Sequence, residues 1–186
     1  MRIAILGWGS LVWNPRGLPL GSEWKTGGPV LSIEFSRISD DGRLTLVIDE
    51  LNGTAVPTRF AVSKKTNLEL AINDLSDREG ITNRDRIGVF DVQEDFTSER
   101  AQSKHPKACQ DIRAWAEAEE FDAVIWTALG PRFFDRIRVR FSPPAAVRYV
   151  GELPMESRAK AFEYIRQAPQ EIDTPVRRLF NQTHPN

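Results

Sequence analysis

The chain has 186 residues and a net charge of −1, from 25 lysines and arginines against 26 aspartates and glutamates. This length is typical of a single domain, and the balanced charge argues against a dedicated nucleic-acid binder. A single cysteine excludes an intrachain disulfide, and with only two histidines it argues against a zinc site of Cys and His ligands. We therefore expect the chemistry of this protein to rest on carboxylates, hydroxyls, arginines and backbone amides.

Apolar runs in this sequence are short. None approaches the roughly 18–20 residues of a membrane-spanning helix. The apolar N-terminal run ends at Gly7, which makes it too short for a signal peptide. The sequence thus predicts a cytoplasmic protein without a membrane partner, and it leaves the oligomeric state open.

The first predicted element is a buried strand over residues 3–6, which runs into a loop rich in glycine and proline. The loop begins with four candidates for ligand binding: Trp8, Gly9, Ser10 and Leu11. A glycine-flanked turn after a strand can present backbone N–H groups to an anionic or carbonyl oxygen. The alternative is a tight turn packed by tryptophans. The segment lacks the third glycine of a dinucleotide-binding fingerprint and the Gly-Lys-Ser/Thr ending of a P-loop.

Three strand-like runs follow, over residues 30–38, 43–49 and 54–62. Asp40-Asp41-Gly42 is a hairpin turn sequence between the first two runs, and Asn52-Gly53 lies between the second and the third. This spacing predicts an antiparallel meander.

The first predicted helix begins where Thr66 and Glu69 fit a capping box. Apolar residues recur at helical spacing from Leu68 to Leu75. Charged residues crowd its end before Gly80: Asp74, Asp77, Arg78 and Glu79. Such a cluster is ordinarily a solvated helix end.

Strands and helices alternate in the rest of the chain. Strands are predicted near residues 87–92, over the apolar and therefore central run 122–129, and over the alternating run 136–141 with Arg136, Arg138 and Arg140 on one face. Helices are predicted over 106–120, from Pro154 onward, and over 174–180. This order predicts an α+β fold with a curved, largely antiparallel, barrel-like sheet flanked by helices. We expect one domain over residues 1–186, with C-terminal helices from about residue 154.

Other nucleophiles are poor candidates. Ser10 is not in a Gly-x-Ser-x-Gly elbow, and its base would have to be His105 or His184, both of which we expect to be solvated. Cys109 falls on the apolar face of a predicted helix, which predicts a core thiol.

Two segments together resemble the signatures of the γ-glutamylcyclotransferase superfamily, which includes the ChaC-like and AIG2-like proteins. Residues 5–15, Ile-Leu-Gly-Trp-Gly-Ser-Leu-Val-Trp-Asn-Pro, are similar to its N-terminal signature and closest to the ChaC-type branch. About 60 residues later, Leu-Ser-Asp-Arg-Glu-Gly at residues 75–80 resembles the second signature, which carries the catalytic glutamate. The resemblance covers roughly residues 3–92.

The resemblance implies a cofactor-independent enzyme that converts a small γ-glutamyl peptide or γ-glutamylamine to 5-oxoproline and a free amine. It implies that Glu79 is the catalytic acid and base. It also implies that Trp8, Gly9, Ser10 and Leu11 bind the substrate, with the amides of the last three contacting its oxygens. The implied fold is that of the family, and the implied setting is glutathione metabolism.

Two departures from the family pattern leave alternatives open. Trp8 stands where the family has a tyrosine, and no tyrosine follows Glu79, because the chain has only Tyr149 and Tyr164. One alternative is a non-catalytic relative that binds a small metabolite in the same cavity. Another is an interaction module that uses the predicted arginine strand at residues 136–141.

Overall fold

Two β-sheets and surrounding helices make up residues 1–185, which the computed structural model describes. The strands are β1 (Ile3–Gly7), β2 (Val30–Ile38), β3 (Leu44–Ile48), β4 (Thr54–Pro57), β5 (Arg59–Val62), β6 (Ile87–Asp91), β7 (Phe96–Thr97) and β8 (Ala123–Thr127). The helices are α1 (Ser10–Trp13), α2 (Leu68–Glu79), α3 (Glu99–Lys104), α4 (Pro106–Ala118), α5 (Phe133–Ile137), α6 (Pro143–Glu152), α7 (Met155–Gln167) and α8 (Pro175–Thr183), with a 3-10 turn at Arg84–Arg86. None of the helices formed by residues 1–185 combines the length and the apolarity that a membrane crossing requires.

The larger sheet is mixed and has the order β5-β1-β8-β6-β7. Strands β1 and β8 are parallel, and the other neighbours in this sheet are antiparallel. The smaller sheet is antiparallel, with β2 between β3 and β4. The predicted α+β class and the central position of the run at 122–129 are confirmed.

Alternating side chains divide the core into two layers on either side of the larger sheet. In β1, Ala4 and Leu6 face a cluster that includes the smaller sheet and the C-terminal helices. Ile3 and Ile5 face the other way, toward Leu75 and its neighbours in α2. This alternation follows from the two-residue period of a strand, and it puts the larger sheet between α2 and the rest of the protein.

The predicted meander and barrel-like sheet need correction, because residues 1–185 form two sheets that do not close into a barrel. The run at 54–62 is two strands: Thr54–Pro57 pairs with β2, and Arg59–Val62 pairs with β1 in the other sheet. The chain changes sheets at Thr58, whose amide and hydroxyl both donate to the Pro29 carbonyl. Proline at 57 cannot donate to a ladder, which favours a break there.

Helix α2 begins one residue later than the capping box predicts. Asn67 is the N-cap, and its side chain accepts from the Leu70 amide at 3.0 Å. The helix ends at Gly80, which has φ 64°, and the Ile81 amide bonds back to the Ser76 carbonyl. Glycine adopts this left-handed conformation without steric cost, so Glu79 is held as the last helical residue.

Residues 136–141 do not form the predicted arginine strand. Helix α5 ends there instead, at Arg138, which has φ 58°. Arg136 turns back and donates to the Ser39 and Asp40 carbonyls. The three arginines therefore share no sheet face, and an interaction module built on such a face loses its structural basis.

Helices α3 and α6 were not predicted from the sequence. Both are short, and α6 begins with two prolines that read as loop residues in isolation. In the structure Ser142 caps α6 by accepting from the Ala145 amide, and the prolines occupy the first turn, where no N–H is needed.

Gly88 in β6 makes room for the indole of Trp126, its partner in β8. A Cβ at position 88 would lie 2.1 Å from the fully buried ring. We expect Gly88→Ala to lower the free energy of unfolding by about 3 kcal/mol, because overpacking forces the ring or the strand to move. Gly151→Ala is the control, since a Cβ there meets nothing within 4 Å. Chemical denaturation measures the free energy of unfolding of both variants. Equal values for Gly88→Ala and Gly151→Ala would contradict the predicted overpacking.

Candidate active site

A cavity of about 270 Å³ lies between the two sheets. Leu6 and Gly7 at the end of β1 and Thr127 at the end of β8 line one side. The opposite side is formed by the β2 and β3 hairpin, including Arg37 and Leu46. Because β1 and β8 are parallel, their carboxyl ends meet at the same edge, and the loops that follow them can contribute to one site.

All five residues predicted for the site line this cavity: Trp8, Gly9, Ser10, Leu11 and Glu79. Glu79 arrives from the end of α2, and the other four follow directly from β1. The structure thus brings together two segments about 70 residues apart. Their catalytic and binding roles stay predictions.

The segment after β1 is not an open loop. Residues 10–13 form the single helical turn α1, and the Val12 amide donates to the Gly9 carbonyl at 2.9 Å. Gly9 itself is required by close packing, since a Cβ there would lie 2.6 Å from the Tyr164 hydroxyl oxygen. The indole of Trp8 is 4% exposed and belongs to the core around the smaller sheet, so this residue contributes a wall of the cavity.

Arg78 ties the two segments together. Its Nη1 donates to Glu79 Oε1 at 2.6 Å, and its Nη2 donates to the Asn14 carbonyl at 2.6 Å and to Ser10 Oγ at 3.4 Å. The side chain is 5% exposed, so this ion pair lies in a region of low dielectric. Arg78 was expected to lie at a solvated helix end. It is instead buried, and it links the end of α2 to the segment after β1.

The carboxyl group of Glu79 is largely withdrawn from solvent, with 19% of its side chain exposed. Burial raises its pKa above the ordinary glutamate value, and the charges of Arg78 and Arg16 oppose this shift. A carboxyl whose pKa is moved toward neutrality is suited to take up a proton and return it.

Tyr164 of α7 reaches the same cavity and was not predicted to do so. Its hydroxyl group lies near the backbone amides of Leu46 and Ser10, and burial raises the pKa of Tyr164 to about 12. The group therefore stays protonated at neutral pH. A protonated phenol can donate a hydrogen bond to a group bound in the cavity.

Gly9, Ser10 and Leu11 all line the cavity, so their amides stay the candidates to contact a ligand. The sequence carries no local signal for Tyr164. Only its rarity, as one of two tyrosines, singles it out.

The two histidines and the cysteine lie outside the lining of this cavity. His105 is 2% exposed, which corrects its expected solvation, and burial lowers its pKa. Cys109 is buried as predicted, and burial raises the pKa of its thiol to about 11. Within residues 1–185, no three His, Cys, Asp or Glu side chains are grouped so that they could hold a metal ion.

The cavity therefore combines a buried carboxyl group, a protonated phenol and main-chain amides with several arginines. Such a set can move one proton, donate hydrogen bonds to a developing oxyanion and bind carboxylates. Comparisons with protein-family models, curated proteins and solved structures found no match to this chain.

Proposed function

We propose that this protein is a γ-glutamylcyclotransferase-like enzyme, which converts a γ-glutamyl peptide or γ-glutamylamine to 5-oxoproline and a free amine without a cofactor. The observation that carries the proposal is the meeting of Glu79 with the segment after β1 in one cavity. These are the two segments whose sequences resemble the family signatures. A likeness of the whole fold to that family is part of the same proposal.

In the proposed reaction the α-amine of the substrate attacks its own γ-carbonyl carbon. A C–N bond forms to close a five-membered ring, the C–N bond to the leaving amine breaks, and no water is consumed. Holding the amine against the carbonyl supplies part of the roughly 7–11 kcal/mol that proximity can contribute.

Glu79 would take the proton from the attacking ammonium group and return one to the leaving nitrogen. Its Oε1 accepts from Arg78, so we assign the proton transfers to Oε2. Arg78 holds the carboxylate in place, while burial keeps its pKa above the ordinary value. The hydroxyl hydrogen of Tyr164 would donate to the oxygen of the tetrahedral intermediate, as would the Gly9 and Leu11 amides. In this proposal Tyr164 supplies the phenol that is missing at position 8.

The test is release of 5-oxoproline from glutathione, γ-glutamyl dipeptides and γ-glutamylamines, measured by mass spectrometry. We expect 5-oxoproline and the free amine in equal amounts from at least one of them. Formation of glutamate instead would mean hydrolysis and would contradict the cyclisation.

The ion pair of Glu79 with Arg78 favours one second candidate, a non-catalytic protein that binds a small metabolite in this cavity. The charge of Arg78 opposes the rise in pKa that burial gives Glu79, and a carboxylate held in this way can bind an ammonium group without transferring its proton. Titration calorimetry that detects tight binding of a γ-glutamyl compound, with no product after long incubation, would favour this candidate.

The pH dependence of the proposed activity follows from Glu79. Its carboxylate form is the base, so kcat/KM should rise with pH as Glu79 loses its proton. Because burial raises this pKa, the rise should be centred above the ordinary glutamate value. Initial rates across pH 4–8, with protein integrity checked at each pH, measure this. A profile flat from pH 4 upward would contradict the assignment.

A further inference from the structure

Arginines dominate the charge of the cavity. Five of them line it: Arg16, Arg37, Arg43, Arg78 and Arg86. Only two carboxylates are present in the same lining, Asp40 and Glu79. The proposed γ-glutamyl end carries one ammonium and one carboxylate, so it leaves this excess of positive charge unmatched.

Several of these charges already have partners. Arg78 pairs with Glu79, and Arg43 pairs with Asp41 at 2.7 Å. The Asp40 carboxylate faces Arg132 at 3.0 Å and Arg136 at 3.6 Å, and these two arginines lie outside the cavity lining.

The other three arginines of the lining make no direct ion pair. No Asp or Glu among residues 1–185 lies within 4.0 Å of a guanidinium nitrogen of Arg16, Arg37 or Arg86. Arg16 is close enough to Glu79 to affect its titration, which puts Arg16 beside the proposed base. Arg37 and Arg86 are therefore the pair left for another group.

Arg37 and Arg86 both contact the segment that follows β8. The Nη1 of Arg37 donates to the Gly130 carbonyl at 3.2 Å, and the Arg86 carbonyl accepts from the Ala128 amide at 2.8 Å. Arg37 is half-buried, and burial and the charge of Arg132 lower its pKa. Asp40 opposes this shift, and Arg86 and Arg136 add to it. Like charges held together in a partly buried cavity are stabilised when an anion binds between them.

We propose that Arg37 and Arg86 form a subsite for the carboxylates of the leaving amine, so that the preferred substrates are γ-glutamyl derivatives of a dicarboxylic amino acid. This inference rests on the proposed function. The guanidinium group suits this task because its planar donors bind a carboxylate in a bidentate manner. Two cations match two carboxylates, whereas a γ-glutamylamine would leave both guanidinium groups without a counter-charge.

The experiment compares γ-glutamyl-glutamate, γ-glutamyl-glutamine and γ-glutamyl-ethylamide, whose leaving amines carry two, one and no carboxylates. We expect kcat/KM to fall by about tenfold at each loss of a charge, the size expected for a charged hydrogen bond. The preference for glutamate over glutamine should shrink to near one in Arg86→Gln and in Arg37→Gln. Arg86 is exposed, so its replacement should not impair folding even if that of Arg37 does.

Arg84→Gln is the matched control. Arg84 belongs to the same 3-10 turn and is also exposed, but it pairs with Glu69 and does not line the cavity. The control should retain the full preference. If Arg84→Gln also loses the preference for γ-glutamyl-glutamate over γ-glutamyl-glutamine, the preference comes from general surface charge, and the proposed subsite is overturned.

Two further outcomes separate the inference from the function on which it rests. Equal rates for all three compounds would overturn the subsite and leave the proposed enzyme standing. Release of 5-oxoproline from none of the γ-glutamyl compounds would overturn both proposals. Calorimetric titration with free glutamate and free glutamine then tests the cavity alone. If wild type binds glutamate more tightly than glutamine and Arg86→Gln does not, Arg86 belongs to a carboxylate-binding site, but that site serves no cyclotransferase reaction.

Discussion

Replacing Glu79 by glutamine is expected to lower kcat for 5-oxoproline release by about 10²–10⁴-fold, the usual contribution of a general acid–base group. The glutamine oxygen can still accept from Arg78, so the bridge to the segment after β1 should persist. An amide cannot take up the proton of the attacking amine, and the reaction then has no base. Steady-state kinetics of wild type and Glu79→Gln, with circular dichroism to verify folding, measure the effect.

Glu69→Gln is the control for this substitution. Glu69 lies in the first turn of the same helix, is 70% exposed and does not line the cavity. Its replacement should leave kcat unchanged. If the folded Glu79→Gln protein keeps wild-type turnover, Glu79 is not the base.

Replacing Tyr164 by phenylalanine is expected to lower kcat by about 10²-fold, within the range seen when one donor to an oxyanion is removed. The ring would still pack against Trp13 and Phe35, so the loss is confined to the hydroxyl group. The hydroxyl group lies near the Leu46 and Ser10 amides, so its removal should also lower the free energy of unfolding, by about 1–3 kcal/mol. A larger change in kcat than in KM is the sign of a role in the transition state.

The other tyrosine provides the control. The Tyr149 hydroxyl donates to the Gly42 carbonyl at 2.7 Å, outside the cavity lining. Tyr149→Phe should therefore lose about 1 kcal/mol of stability without a change in kcat. If Tyr164→Phe behaves like this control, its hydroxyl is structural and donates nothing to the reaction.

Local patterns in the sequence predicted the elements whose formation depends on near neighbours. The apolar runs of β1 and β8 and the periodic face of α2 are set by residues within a few positions of each other. The same holds for the position of Glu79, because Gly80 ends α2 in any context where that helix forms. The nearness of Glu79 to the segment after β1 was expected from the resemblance of both segments to one family.

Predictions failed where pairing between distant segments decides the outcome. The run at 54–62 has the composition of one strand, and its division between two sheets depends on which strands are available beside it. The alternating arginines at 136–141 have the periodicity of a strand. In the structure this segment instead contains the end of α5, where Arg136 donates to the Ser39 and Asp40 carbonyls. Local propensity is a weak prior when such tertiary contacts compete with it.

The sequence by itself determined the α+β class, the strands that flank the cavity and the position of Glu79 at the end of a helix. Only the tertiary structure decided that Arg78 is a buried bridge, that the Tyr164 hydroxyl lies beside Gly9, and that Arg37 and Arg86 line one cavity. The physical reason is distance along the chain. Helix α7 must pack on β3 before Tyr164 reaches the loop, and no pattern within either segment encodes that contact.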